Sequence, residues 1–409
     1  MTDVRAAVAR AHAEEWAFVL AATARVAADL DLAEDCVQDA FTQALVHWPE
    51  RGVPDRPGAW LTTVATRRAL EVRRRSATLR RKLPLLVPDG GDDDPDPGVF
   101  PDDRLRLVFT CCHPALAREA QVALTLRLVC GLATPEIARG FLVKESAMQA
   151  RITRAKHKIA EARIPYRVPE VADLPDRLEA VLDVVHLVYT AGHTAAYGEA
   201  LTRPDLAARG IALARMLHLL VPEHPDVAGL HALLLLSEAR AAARTDEAGR
   251  LVVLEDQDRS RWDRALVRQG LELVRDALAA ARGAPGRFTL MAAAAAVHAE
   301  AADWEQTDWQ QLLGIYDRLL ARWPSPVVAL NRAVALSYVA GPAAALAALA
   351  PLEQQPGMPS YPYLAATRAE LLRRLGDRDA AIAAYDEARL LTGNAVEAEH
   401  LTRRIAELS

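Results

Sequence analysis

Apolar positions recur at intervals of three and four almost from end to end of the chain, and runs that alternate polar with β-branched residues are nearly absent. That periodicity predicts an all-α protein. Over "LAEDCVQDAFTQALVHW", Leu32, Cys36, Val37, Ala40, Phe41, Ala44 and Leu45 fall on one helical face, with Glu34, Asp35, Gln38, Asp39 and Gln43 on the other. Over "RPGAWLTTVATRRALEVRRR", Leu61, Val64, Ala65, Ala69 and Val72 form the inward stripe. Thr63, Thr66, Arg67, Leu70, Arg73 and Arg74 lie outside. The first helix thus carries an acidic, amide-rich face and the second a cationic one, continued by Arg75, Arg80, Arg81 and Lys82.

The period breaks at residues 88–103, "PDGGDDDPDPGVFPDD", where seven Asp, four Pro and three Gly cannot bury enough apolar surface to fold alone. This acidic linker is expected to separate a first unit, residues 1–87, from a second, residues 104–168. In the second, "QVALTLRLVCGLATPEIARGFLVKESAMQARITRAKHKIAEA" reads as helix, Gly-containing turn, short helix, tight turn and long helix, the layout of a helix-turn-helix. Thr134 is the expected N-cap of the short helix, with Pro135 at its first position. On the long helix Met148, Ile152, Ala155 and Ile159 face the core. The opposite arc presents Ser146, Gln149, Ala150, Thr153, Arg154 and His157, flanked by Arg151, Lys156 and Lys158. Short hydrogen-bonding side chains near the N-terminus suit base edges, and cations further along suit phosphates. A solvated charged face is the plain alternative. Turn spacing, capped middle helix and polar arc together favour DNA.

From 169 to 409 the chain turns to long Leu/Ala-rich helices, and a repeat emerges. "AELLRRLGDRDAAIAAYDEARLLTGN" sets Ala369, Gly376, Ala381, Tyr385 and Ala388 at the small-residue and aromatic spacings of a tetratricopeptide unit. Tyr316 and Pro324 each stand 69 residues before Tyr385 and Gly393, near two periods of about 34. The predicted architecture is therefore two small helical modules, a linker and a C-terminal tetratricopeptide-like solenoid.

Apolar residues make up 51% and charged residues 25%, as in ordinary soluble domains. A net charge of −5 argues against coating a polyanion with the whole surface, so nucleic-acid contact falls to local basic patches. Cys36, Cys111, Cys112 and Cys130 are too irregularly spaced for a disulfide framework, and Cys111-Cys112-His113 lacks the gap of a zinc knuckle. Buried thiols are expected, with no metal and no cofactor. The N-terminus has no apolar core before a cleavage site and no run approaches bilayer length, so a cytoplasmic protein without membrane partners is expected. No nucleophile-base pair, Gly-rich phosphate loop or metal spacing points to an enzyme.

"AEDCVQDAFTQALVHWP" with "PGAWLTTVATRRALEVRRR" resembles region 2 of extracytoplasmic-function sigma factors of the sigma-70 family. "ALTLRLVCGLATPEIARGFLVKESAMQARITRAKHKI" resembles their region 4. "FTCCHPAL", "LEDQDRSRWDRAL" and "SPVVALNRAVA" are similar to the subgroup with a long tetratricopeptide-like extension. The resemblance implies a promoter-specific initiation factor whose partners are core RNA polymerase and promoter DNA. It assigns Asp35, Gln38, Asp39 and Phe41 to the β′ clamp helices, and region 4 to the β flap as well as to DNA. Trp60, Thr63, Thr66, Arg67, Arg73 and Arg74 would hold the melted minus-ten strand. Ser146, Gln149, Ala150, Arg151, Thr153, Arg154, His157 and Lys158 would read the minus-thirty-five element. Family members usually show Arg-Asn where this chain has Thr66-Arg67, which displaces the cation by one position. In sigma factors the linker threads toward the polymerase active site, so Asp92, Asp93, Asp94 and Asp96 would sit in a basic channel.

The extension has three open roles: covering the DNA faces through an intramolecular contact with the core, sensing a ligand or partner, or helping the core bind polymerase. Within it, "LEDQDRSRWDRAL" is expected to form an ion-pair lattice around Trp262, with a recognition surface as the alternative. The competing reading of the whole is a stand-alone helix-turn-helix regulator with a partner- or ligand-sensing solenoid.

Overall fold

The computed structural model describes residues 4–82, 103–141, 143–169, 174–195 and 197–409. The linker carboxylates Asp92, Asp93, Asp94 and Asp96 and the side chains of Arg80, Arg81 and Lys82 lie outside what is described. The protein is all-α, and among the described residues strand structure is confined to a two-residue parallel pair, β1 (Tyr197–Gly198) with β2 (Gly393–Asn394). The chain divides into two compact units, Met1–Leu187 and Val188–Ser409.

In the first unit, α1 (Val4–Ala27), α2 (Leu30–Arg51) and α3 (Pro57–Lys82) pack as a three-helix bundle. Asp29 caps α2 by accepting from the Leu32 N–H at 2.8 Å, and the Gly52 N–H closes its C-terminus on the Trp48 carbonyl. Then come α4 (Asp103–Cys111), α5 (Arg118–Leu124, continued by a π-helical turn, Thr125–Val129), α6 (Thr134–Gly140), α7 (Glu145–Glu161) and α8 (Leu174–His193). The N-cap of α6 lies one residue before the expected Thr134: the Glu136 carboxylate reaches back 2.7 Å to the Ala133 N–H, while Thr134 is buried.

The helix-turn-helix module does not stand apart from the bundle. Trp16 on α1 donates its indole N–H to the Leu128 carbonyl of the π turn at 3.0 Å, and Tyr166 donates to the Ala21 carbonyl at 3.0 Å. Gly131 has φ +70°, and a Cβ there would collide with the Trp16 ring, so this turn requires glycine both for its backbone and for the contact. All four cysteines are free and buried, as expected of structural thiols. Burial holds the Cys111 thiol far above its ordinary pKa and pushes Cys112 up to about 11.

The second unit stacks helices in chain order: α9 (Pro204–Leu220), α10 (Pro225–Glu238), α11 (Arg264–Ala280), α12 (Arg287–Glu300), α13 (Trp309–Arg322), α14 (Pro326–Val339), α15 (Pro342–Leu349), α16 (Pro362–Leu375), α17 (Arg378–Leu391) and α18 (Ala395–Leu408). Most successive helices pack on one another, as in a solenoid, but α12 packs chiefly on α10 rather than on α11, and the β1–β2 pair joins the start of the unit to its end. The sequence-predicted unit is α16 and α17. Gly376, at φ +81°, ends α16 with N–H bonds to the Arg373 and Leu372 carbonyls, and Asp377 caps α17. Ala365, Ala369, Ala384, Tyr385 and Ala388 pack between these helices and Leu401 of α18.

His298 of α12 packs against the rings of Trp304 and Trp309, at centroid distances of 5.9 and 5.6 Å. Burial, reinforced by the charges of Arg240 and Arg259, pushes its pKa from 6.5 down to about 4. Its neutral form is the one that fits. The stability it contributes is therefore fully present above the unfolded value and lost as pH falls from 6.5 toward 4, by about 3 kcal/mol. Calorimetric unfolding across that range is expected to show a shallower acid loss for His298→Phe than for the parent chain; equal slopes would contradict it.

Candidate nucleic-acid interface

On α7 the helical period places Met148, Ile152, Ala155 and Ile159 in the core, as the sequence predicts. Ser146, Gln149, Thr153, Arg154, His157 and Lys158 are exposed, and Ala150 and Arg151 half-exposed, which leaves one continuous polar arc. His157 lies 3.2 Å from Glu161 one turn on. Arg151, Arg154 and Lys158 have no ion pair among the described residues, so their charges face solvent. Lys156 behaves differently from its flanking neighbours. Its ammonium turns inward, 2.7 Å from Asp31 and 2.7 Å from Glu34, and its side chain is only 10% exposed. Burial alone would lower its pKa, but Glu34 and Asp31 outweigh it and hold the charge on.

The acidic face of α2 is split by the same contact. Glu34, expected outside, is buried: it binds Lys156 and Arg127 and accepts from the Gln38 amide at 3.2 Å. Asp35, Gln38 and Asp39 remain exposed, with Asp39 3.6 Å from Arg68 of α3. Two expectations need correction. Phe41 is buried at 7% exposure, its ring centroid 5.9 Å from Trp16 and 5.2 Å from His12. It supports α2 from beneath and is not part of the contact surface. Leu45, expected in the core, is exposed because the bundle covers only the arc centred on Ala33, Val37, Ala40 and Ala44.

On α3, Trp60 is half-buried, edge-on to Trp48 with ring centroids 5.7 Å apart. The Thr63 hydroxyl donates to the Ala59 carbonyl at 2.8 Å and the Thr66 hydroxyl to the Thr62 carbonyl at 2.7 Å. Both therefore offer lone pairs outward, which suits a base amino group and not a phosphate. Arg67 is the open cation of this face: its side chain is 82% exposed, with Glu71 3.7 Å away. Arg73 is exposed but spends one N–H on the Val26 carbonyl at 2.7 Å, at the C-terminal turn of α1, and Arg74 is exposed beside it. The displaced cation at position 67 thus presents its charge outward, while Thr66 lies half-covered.

Residues 16–78 match the model of sigma-70 region 2, residues 106–159 that of sigma-70 region 4, and residues 177–278 a family described as of unknown function. An uncharacterized protein of Rhizobium meliloti is 42% identical over 388 residues, 93% of this chain and 91% of its own. "Probable ECF RNA polymerase sigma factor SigI" of Mycobacterium tuberculosis is 31% identical over 169 residues, which is 40% of this chain and 56% of that relative. The alignment thus spans little more than half of that protein. Among solved structures, a thermophilic tetratricopeptide protein of Thermus thermophilus superposes with a TM-score of 0.37 at 18% identity, over 56% of this chain and 96% of that one.

Proposed function

The chain belongs to the sigma-70 family, as an extracytoplasmic-function sigma factor with a long tetratricopeptide-like extension, and from that premise we propose that it carries core RNA polymerase to promoters with α7 in the major groove of the minus-thirty-five element and α3 against the melted minus-ten strand. Such factors act by binding and strand capture, without catalysis. The observation that carries the reading is the arc of α7: Gln149 near the N-terminus, free of intramolecular partners among the described residues, and Arg154 one turn on with its charge open. Asp35, Gln38 and Asp39 form the face offered to the β′ clamp helices, and the extension regulates the core's activity.

One geometric consequence follows. The two promoter elements lie about 25 base pairs apart, roughly 80 Å along the duplex. A compact unit of 187 residues has a diameter of about 40 Å. The two modules cannot serve both elements while packed together, so the contact through Glu34 opens on the promoter. Opening releases Glu34 and Asp31 toward polymerase and Lys156 toward phosphate.

The test is transcription in vitro with purified core polymerase, with and without this chain. Start-site-specific RNA is expected only with it; failure to retain core polymerase would remove the reading. On the resulting promoter, Gln149→Ala is expected to cost about 1 to 3 kcal/mol at one base pair and to relax specificity there. Arg154→Ala should weaken binding on all sequences alike and make the salt slope shallower by about one. Titrations over a panel of promoter variants separate the two, and identical losses on every variant from both changes would refute the assignment.

A further inference from the structure

The second unit holds a half-open cavity of about 470 Å³, within the range of small-molecule sites. Its walls come from the segment 251–256, Trp304, α14, α16, Tyr385 and α18. Trp304, Tyr338, Tyr363 and Tyr385 make it aromatic, with the Tyr338 ring edge-on to Trp304 at 5.5 Å.

Its charged groups divide sharply by what they already hold. Glu370 accepts from Arg373 at 2.6 and 3.0 Å, from the Tyr385 hydroxyl at 2.8 Å and from Arg404 at 3.2 Å. Glu397 accepts from the Tyr363 and Thr392 hydroxyls at 2.6 and 2.7 Å. Arg374 donates to the Ser337 hydroxyl at 2.8 Å and carbonyl at 3.1 Å, and stacks over Tyr338. Every one of these charges on the helical walls is spoken for. The carboxylates of Glu255 and Asp256, both exposed residues, make no hydrogen bond or ion pair among the described residues, although Glu255 feels the charges of Glu370, Arg373 and Arg374.

The rest of that segment explains why these two stand out. Gln257 donates to the Val252 carbonyl, Arg259 to the His298 and Ala301 carbonyls at the end of α12, and Arg261 to the Thr245 and Ala242 carbonyls. Asp258 and Asp263 accept from backbone N–H groups, the latter as N-cap of α11, and Trp262 is buried against Ala239, Ala243 and Val267. From Gln257 to Asp263 the charged side chains fix the loop, while Gln257 Oε1, Arg259 Nη2 and Trp262 Nε1 are buried without a hydrogen-bond partner among the described residues. What the loop holds in place is a single helical turn, Leu254–Asp256, at the cavity wall.

We propose that this cavity binds a small organic cation, an ammonium or guanidinium group on an apolar stem, with Glu255 and Asp256 facing the charge and Trp304 and Tyr363 packing on the stem. A cation is held by carboxylates and ring faces, and here the exposed Glu255 and Asp256 carboxylates line the same cavity as the Trp304 and Tyr363 rings, whereas both faces of Tyr338 are taken by Arg374 and Trp309. An anion would have to displace Glu370 or Ser337 from the arginines that already hold them. The same chemistry reaches the site as a free amine or as the basic side chain of a peptide.

Calorimetric titration of the full chain with phenethylamine, agmatine and a blocked Gly-Arg-Gly tripeptide tests it, with phenylacetate as the anionic control. At least one cation is expected to bind saturably, and Glu255→Gln combined with Asp256→Asn to weaken it about tenfold or more. The unliganded unfolding midpoint of that variant should not move, since neither carboxylate bonds to the protein. Agmatine keeps its charge on acidification, so its affinity should fall as Glu255, whose pKa is raised by burial and by Glu370 and Asp256, takes up a proton. Tighter binding of the tripeptide assigns a peptide source, and tighter binding of a free amine a small molecule. No cation bound at roughly 10 mM, undiminished binding by the double variant, or preference for phenylacetate would each overturn the proposal. None of these results bears on transcription with core polymerase, so the two readings fail separately.

Discussion

Replacing Glu34 by alanine is expected to separate the two DNA-binding modules without unfolding either. The Glu34 side chain is 6% exposed and faces Lys156 and Arg127, whose side chains are 10% and 19% exposed. Both cations belong to the helix-turn-helix module and the carboxylate to the bundle. Removing one partner of a buried pair costs about 3 to 5 kcal/mol, because the charges left behind are neither hydrated nor neutralised. Here that cost falls on the contact between modules, since α2 itself accepts alanine readily. Asp31, 72% exposed, still touches Lys156 but leaves Arg127 unpaired, so it recovers only part of the loss. A shift of about 3 kcal/mol changes the open-to-closed ratio by more than about a hundredfold. The radius of gyration from solution scattering should rise, and the Trp16 emission should shift as its indole loses the Leu128 carbonyl. Exchanging the charges, Glu34→Lys with Lys156→Glu, should recover compactness only in part, because the ammonium introduced on α2 would then face Arg127. Unchanged scattering and emission in Glu34→Ala would mean that the apolar contact around Trp16 alone holds the modules, and that the ion pairs are incidental.

The contrast between α7 and α2 shows what a helical period can and cannot reveal. On α7 one side meets the core and the other meets solvent, so the period alone sorts Met148 and Ile152 from Gln149 and Arg154. Helix α2 is covered twice, by the bundle and then by a module a hundred residues away in sequence, and a period carries no information about the second covering. Sequence reasoning therefore misplaces Glu34 on the open face and gives Phe41 to a partner. The cations show a related limit. Arg73 and Lys156 look like their solvent-facing cationic neighbours in sequence, yet a helix C-terminus claims part of one and a buried carboxylate the other. In "LEDQDRSRWDRAL" arginine-to-carbonyl bonds replace the expected ion pairs, because the ends of α10 and α12 leave acceptors that need donors. The cavity beside it joins residues from 251 to 404 and has no local signature at all.

Asn394 is equally silent in the sequence, and its replacement is expected to be among the most damaging single changes in the extension. The residue is fully buried. Its amide donates to the Ala195 and Ala200 carbonyls, both at 2.9 Å, and its oxygen accepts from the Val396 and Glu397 N–H groups at 3.0 and 3.3 Å. One side chain thus caps α18 and ties it to a loop 199 residues earlier, beside the β1–β2 pair. Alanine loses the cap, at about 1 kcal/mol, and leaves the buried Ala195 carbonyl unpaired, at about 1 to 3 kcal/mol, whereas the carbonyl of the exposed Ala200 can turn to water. The expected total is about 2 to 4 kcal/mol. Aspartate provides the sharper test. At an ordinary N-cap it equals asparagine, but here its second oxygen would face two carbonyl oxygens, and a buried carboxylate would have no cation to meet it. Asn394→Asp should therefore be no better than Asn394→Ala. Hydrogen exchange is the suitable probe, since a chain of two units need not unfold in one step: protection should fall in α18 and in residues 197–203 in both variants while α1 to α3 keep theirs. An aspartate variant as protected as the parent would show that the cap matters and the tie to the distant loop does not.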